Sequence, residues 1–155
     1  MPPLIWQNEY PADQALRPLA AAPSLTAALS ARGAFSVRLL GLGETQDCAY
    51  FGGLGLPETL FCRRVLLCVD GCAVVEAESA CLPQSAWREK LAGLGGMPLG
   101  SILFSGCLNG LVRSPLEFAL TEDSLPVRRS VFEWRGTRLF LAERFLPDIW
   151  RFQAA

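Results

Sequence analysis

The dipeptide Asp70-Gly71 lies between two runs rich in strand-forming residues, 61–69 and 73–80. Asp-Gly accepts the positive φ that both central positions of a type I′ turn require, and the twist of that turn matches the twist of paired strands. A hairpin of this kind forces its arms to lie adjacent and antiparallel. Arg135-Gly136 repeats the pattern between residues 127–134 and 137–146. Two hairpins, with no alternating strand-helix-strand run, predict a mainly antiparallel sheet rather than a doubly wound dinucleotide-binding fold.

The segments around these hairpins are short. Residues 1–13 read as an irregular lead-in with Trp6 pinned to the core surface. Ser24, after Pro23, is an N-cap for a short helix through Leu25, Ala28 and Leu29 that ends at Gly33. A strand over 35–40 is expected to break at Gly41-Leu42-Gly43, with a weak strand over 48–51 and another over 116–120. Pro83 stops the second arm of the first hairpin. A helix over 87–94 offers Leu91 and Leu94 as an apolar stripe, Gly95-Gly96 ends it, and Pro98 opens a second helical segment over 99–104. Joined by glycines, these two helices form a flap over the sheet. Pro147 is expected to end regular structure. The sum is an α+β fold: a single domain over residues 1–155, with about six strands and short helices packed on one side. At 155 residues and 51% hydrophobic content, the chain can bury one real core.

Composition removes several chemistries. Histidine is absent, so the commonest neutral-pH acid/base and metal ligand is missing, and no Ser-His-Asp or Cys-His system can be assembled. The net charge is -1 and the arginines are scattered, whereas nucleic-acid binding calls for a continuous basic stripe. Gly52-Gly53-Leu54-Gly55 lacks the Gly-Lys-Ser/Thr continuation of a phosphate-binding loop. Met1-Pro2-Pro3 has no basic cluster and no apolar run is long enough to span a bilayer, so a cytoplasmic chain without membrane insertion is expected. In that setting the six cysteines read as small buried hydrophobes rather than disulfides. Cys68-x-x-x-Cys72 spans a turn and lacks a second close pair, so no thiolate metal site is expected.

Two charges break the strand pattern. Side chains along a strand alternate between faces, so Arg63 shares its face with Phe61, Val65, Leu67 and Val69. Glu143 likewise shares a face with Leu139, Leu141 and Phe145. A charge among such neighbours is costly unless it is paired, hydrogen-bonded or facing a polar ligand. One outcome is a structural Arg63–Glu143 salt bridge. The other is a cavity floored by one Arg and one Glu, suited to a small molecule with a carboxylate at one end and a hydroxyl or ether oxygen at the other. Arg64, on the opposite face, is expected to be structural.

Three segments carry a family pattern: residues 63–71 (RRVLLCVDG), 94–104 (LGGMPLGSILF) and 141–147 (LAERFLP). Together with Ser24-Leu25-Thr26 and Leu29, their order and spacing resemble the chorismate lyase (chorismate-pyruvate lyase) family of bacterial ubiquinone biosynthesis. The resemblance implies cleavage of chorismate to 4-hydroxybenzoate and pyruvate without a cofactor, as the first committed step toward ubiquinone. It also implies a monomer whose antiparallel sheet carries an enclosed site under helical flaps. Carried over by position, the arginine that meets the product carboxylate is Arg63, and the glutamate near the 4-oxygen is Glu143. A backbone amide on the carboxylate falls on Leu99, and a site-lining methionine is replaced by Leu25. The resemblance makes Arg63 and Glu143 catalytic, and all four positions substrate-binding. Glu143 has three possible duties: protonated donor to an oxygen, base toward the ring C4 proton, or orienting group. Arg128 or Arg129 is a candidate for the second, enolpyruvyl carboxylate. Two alternatives share the general fold or substrate: a non-catalytic aromatic-acid sensor, and a lyase giving a different hydroxybenzoate.

Overall fold

The structure is a computed structural model that describes residues 3–152. Seven strands form one antiparallel sheet: β1 (Phe35–Thr45), β2 (Leu60–Val69), β3 (Cys72–Cys81), β4 (Val112–Arg113), β5 (Glu117–Leu120), β6 (Pro126–Trp134) and β7 (Thr137–Phe145). Their order is β1-β2-β3-β7-β6-β4, with β5 also paired to β6. Both predicted hairpins are present. Asp70 and Gly71 have φ of 50° and 81°, and Arg135 and Gly136 have 51° and 74°, the left-handed pair that a type I′ turn demands. Asp70 also accepts a hydrogen bond from the Ala34 N–H at 2.8 Å, which ties the turn to the start of β1.

The helices pack on one face. α1 (Arg17–Ala20) and α2 (Leu25–Ser30) bury Leu19, Leu25 and Leu29 against Val65, Leu67 and Phe145. α3 (Trp87–Ala92) and α4 (Gly100–Leu103) bury Trp87, Leu91 and Leu103 against Phe61, Leu139 and Leu141. Ser24 caps α2 as expected, its hydroxyl accepting from the Ala27 N–H at 3.2 Å. Among the described residues the opposite face carries no helix. Tyr50 and Phe51, with Trp6 beside them, cover Leu60, Ala80, Phe140 and Ala142 there.

Four expectations need correction. β1 does not break at Gly41-Leu42-Gly43; it bulges between Leu39 and Gly41 and resumes pairing with β2 through Thr45, because an edge strand absorbs one extra residue by twisting. Residues 48–51 form no strand; their side chains serve as a lid on the outer face. The short β4 raises the count from six to seven. Pro147 starts rather than stops an element, a 3-10 turn over Pro147–Phe152, since proline fits a first helical position.

Candidate functional site

Register places the two unusual charges. Across β2, β3, β7 and β6, one lateral row reads Arg63, Ser79, Leu141, Ser130, and the next row on the same face reads Val65, Ala77, Glu143, Arg128. Strand spacing alone sets the Arg63 and Glu143 backbones about 12 Å apart along the diagonal. Between them, β3 contributes only Ala77 and Ser79, and these small side chains leave the sheet surface hollow. Leu25 and Thr26 of α2 and Pro98, Leu99, Gly100 and Leu103 around α4 roof the hollow. Gly100 permits that roof: a Cβ there would stand 3.3 Å from Thr26 Oγ1 and 3.5 Å from the Phe104 ring.

The result is a cavity of about 30 Å³. That is room for one or two waters. A benzenoid acid needs more room than this, so its binding requires the lining to give way.

Arg63 is 2% exposed. Its Nη2 donates to the carbonyls of Gly95 at 3.1 Å and Met97 at 2.7 Å, in the α3–α4 connection. Its Nε is buried with no hydrogen-bond partner, and no carboxylate pairs with it among the described residues. Burial pushes its pKa below the ordinary arginine value. An anion placed at that guanidinium would supply both the missing acceptor and the missing charge.

Glu143, 6% exposed, pairs with Arg128 rather than Arg63: Arg128 Nε donates to Oε1 at 2.7 Å. Arg128 is held further by its Nη1, which donates to the carbonyls of Ala20, at 3.1 Å, and of Ala22. Glu143 Oε2 makes no hydrogen bond to a described residue, and the side chain lines the cavity. Leu99 and Leu25 also line it, and the Leu99 N–H is likewise without a partner among the described residues. Thus Arg63, Glu143, Leu99, Leu25 and Arg128 all meet at one cavity. Arg129 does not. It lies on the other face, donating to Glu117 at 3.0 Å and to the carbonyls of Tyr50 and Gly52, with Trp6 stacked on it at 4.1 Å. Arg64 is on that face too, paired with Glu78 at 2.8 Å.

One cavity residue was invisible from sequence periodicity. Arg113, on the two-residue β4, projects into the cavity beside Arg128. Nε donates to Ser130 Oγ at 3.0 Å and Nη1 to the Pro23 carbonyl, while the guanidinium lies 4.9 Å from the Phe132 ring centre. No carboxylate pairs with it among the described residues. Its pKa is pushed down to about 10, first by burial and then by Arg128, with Glu143 opposing. The site therefore holds three guanidiniums against one carboxylate, an excess of positive charge suited to a dianion.

No protein-family model matches the chain. It is 35% identical to a protein named probable chorismate pyruvate-lyase from Azoarcus sp. (strain BH72), over 89% of this chain and 87% of that one. Similar proteins of the same name occur in Aromatoleum aromaticum (36% identity, 86% and 85% covered) and, as probable chorismate pyruvate-lyase 1, in Burkholderia pseudomallei (29%, 94% and 91%). Among solved structures, the effector domain of PhnF from Mycobacterium smegmatis aligns with a TM-score of 0.54 at 15% identity, over 81% of this chain and 89% of that one, a likeness of fold. No helix among the described residues is long and apolar enough to cross a membrane. With its hairpin sheet, its roofed charged cavity and relatives at this identity over most of their length, the chain belongs to the chorismate pyruvate-lyase family.

Proposed function

We propose that this protein is a chorismate lyase, releasing 4-hydroxybenzoate and pyruvate at the cavity between the sheet and the α2 and α4 roof. The observation that carries the reading is that Arg63 and Glu143 line one cavity across Ala77 and Ser79, while Arg63 Nε and Glu143 Oε2 have no hydrogen-bond partner among the described residues. Chorismate is a dianion with a ring carboxylate, a ring hydroxyl and an enolpyruvyl ether bearing the second carboxylate. Arg63 and the Leu99 N–H take the ring carboxylate, and Leu25 packs on the ring. Glu143 meets the 4-oxygen end.

In the reaction the ring carbon–oxygen bond to the enolpyruvyl group breaks and the neighbouring C4 proton leaves. The electrons of that C–H bond complete the aromatic ring, and the departing enolate takes a proton on its methylene carbon to become pyruvate. Arg128 holds Glu143 Oε1 as an acceptor, so Oε2 is the atom that faces the C4 proton or orients the 4-hydroxyl. This favours the base or orienting duty over the protonated-donor one. Arg113, with the remaining face of Arg128, takes the enolpyruvyl carboxylate and steadies the charge that develops as the ether bond breaks. Orientation inside a closed site supplies much of the acceleration. Aromatisation drives the step. A supply of 4-hydroxybenzoate toward ubiquinone, a cytoplasmic address and a monomeric state belong to the same proposal.

Purified protein incubated with chorismate should yield 4-hydroxybenzoate and pyruvate in equal amounts. Aromatic-acid binding without turnover would replace the lyase by a sensor. A different hydroxybenzoate, identified by mass and retention time, would keep the lyase and change its product.

A further inference from the structure

On the sheet face away from the cavity, the fold assembles a second polar cluster. Cys62 on β2 and Glu78 on β3 share that face, and the loop between β1 and β2 brings Cys48 over them. The Cys48 Sγ, the Cys62 Sγ and a Glu78 carboxylate oxygen all lie within 4.8 Å of one another. Glu78 is 1% exposed. Its Oε2 accepts from Arg64 Nη2 at 2.8 Å and from Nε at 3.2 Å, whereas Oε1 is buried with no hydrogen-bond partner among the described residues. A buried carboxylate oxygen without a donor is a costly arrangement that calls for an explanation.

We propose that Cys48, Cys62 and Glu78 bind one zinc-class divalent cation. Two thiolates and one carboxylate form a ligand set that a borderline-soft ion prefers over magnesium or calcium. Charge balances as well: three negative ligands are offset by the divalent ion and the Arg64 guanidinium, so the buried cluster is neutral. Arg64 then acts as an outer partner that orients the carboxylate and leaves Oε1 for the metal. Tetrahedral zinc with bonds near 2.3 Å to sulfur and 2.0 Å to oxygen needs ligand atoms roughly 3.5–3.8 Å apart. With all three atoms within 4.8 Å of one another, the contraction needed is at most about 1 Å, small for Cys48 on a half-buried loop. Three protein ligands leave the fourth position to water. The sequence hid this cluster because its members are separated by 14 and 16 residues, and only strand pairing brings them together.

The test uses the full-length protein, reduced and stripped of metal by a chelator, with cobalt(II) as the probe. Expected is a thiolate-to-cobalt charge-transfer band that saturates at one equivalent and is erased by one equivalent of zinc(II). Cys48→Ser and Glu78→Gln should each weaken zinc binding by roughly 10-fold or more. Gln keeps an acceptor for Arg64, and circular dichroism checks that both variants fold. A reduced, folded protein that gives no such band overturns the proposal. So does a band that survives both substitutions.

Discussion

Arg63, Glu143 and Arg113 carry separable predictions because each is held differently. In the proposed complex Arg63 bonds the ligand through a charge-assisted contact, typically 1.5–3 kcal/mol, so Arg63→Ala should weaken 4-hydroxybenzoate binding by roughly 10- to 150-fold. Isothermal titration calorimetry reads this directly, and unchanged affinity in the folded variant would remove Arg63 from the site. Glu143 needs more care. Glu143→Ala strands a buried Arg128 and should cost about 3–5 kcal/mol of stability, which urea unfolding would register. Glu143→Gln preserves an acceptor for Arg128 Nε, so it should fold normally and lose turnover, a cleaner probe of chemistry. For Arg113 the expected signature is selective. Arg113→Ala should raise the KM for dianionic chorismate while leaving the affinity for the monocarboxylate product within about 3-fold, because a contact made only to the enolpyruvyl carboxylate is absent from the product complex. Equal losses for both ligands would place Arg113 elsewhere.

At the scale of elements, β3 and the roof matter most. Ala77 and Ser79 are the hollow in an otherwise filled face, so Ala77→Leu should occupy the cavity, abolish product binding and leave the fold intact at a cost of about 1–3 kcal/mol. Calorimetry together with thermal unfolding would separate a filled cavity from a broken fold. The hairpins, the Ser24 cap and the odd charges of β2 and β7 were legible in the chain because each is a local signal: a turn dipeptide, a capping residue, a violation of period two. The partner of Glu143 was not. Pairing Arg128 with Glu143 depends on β6 lying beside β7 in one particular register, and Arg63 and Arg128 look equivalent without it. Arg113 was hidden for a related reason: a strand of two residues has no periodicity to read. The bulge in β1 was missed because glycines mark both strand ends and strand irregularities.

On the scale of the whole molecule, the sheet unites three apolar clusters, two under the helices and one beneath the loops of the opposite face. The cavity lies within the helical layer, between residues of both clusters there, so a ligand should report on global stability. At 100 times its dissociation constant, 4-hydroxybenzoate should add about 2.7 kcal/mol and raise the Tm by roughly 5–11 °C. Phenol, which lacks the carboxylate that Arg63 would hold, should give almost none of that shift at the same concentration. Differential scanning calorimetry distinguishes the two.

Arg63 has one further consequence, since the same guanidinium that faces the cavity also grips Gly95 and Met97 in the roof. A ring admitted by lifting this part of the roof would tear those two carbonyl contacts, and its departure would repeat the same event. Capture would stop accelerating as chorismate becomes abundant and level off at the frequency of that event, far below the encounter rate. The protein would keep its own time, deaf to how crowded its doorway becomes.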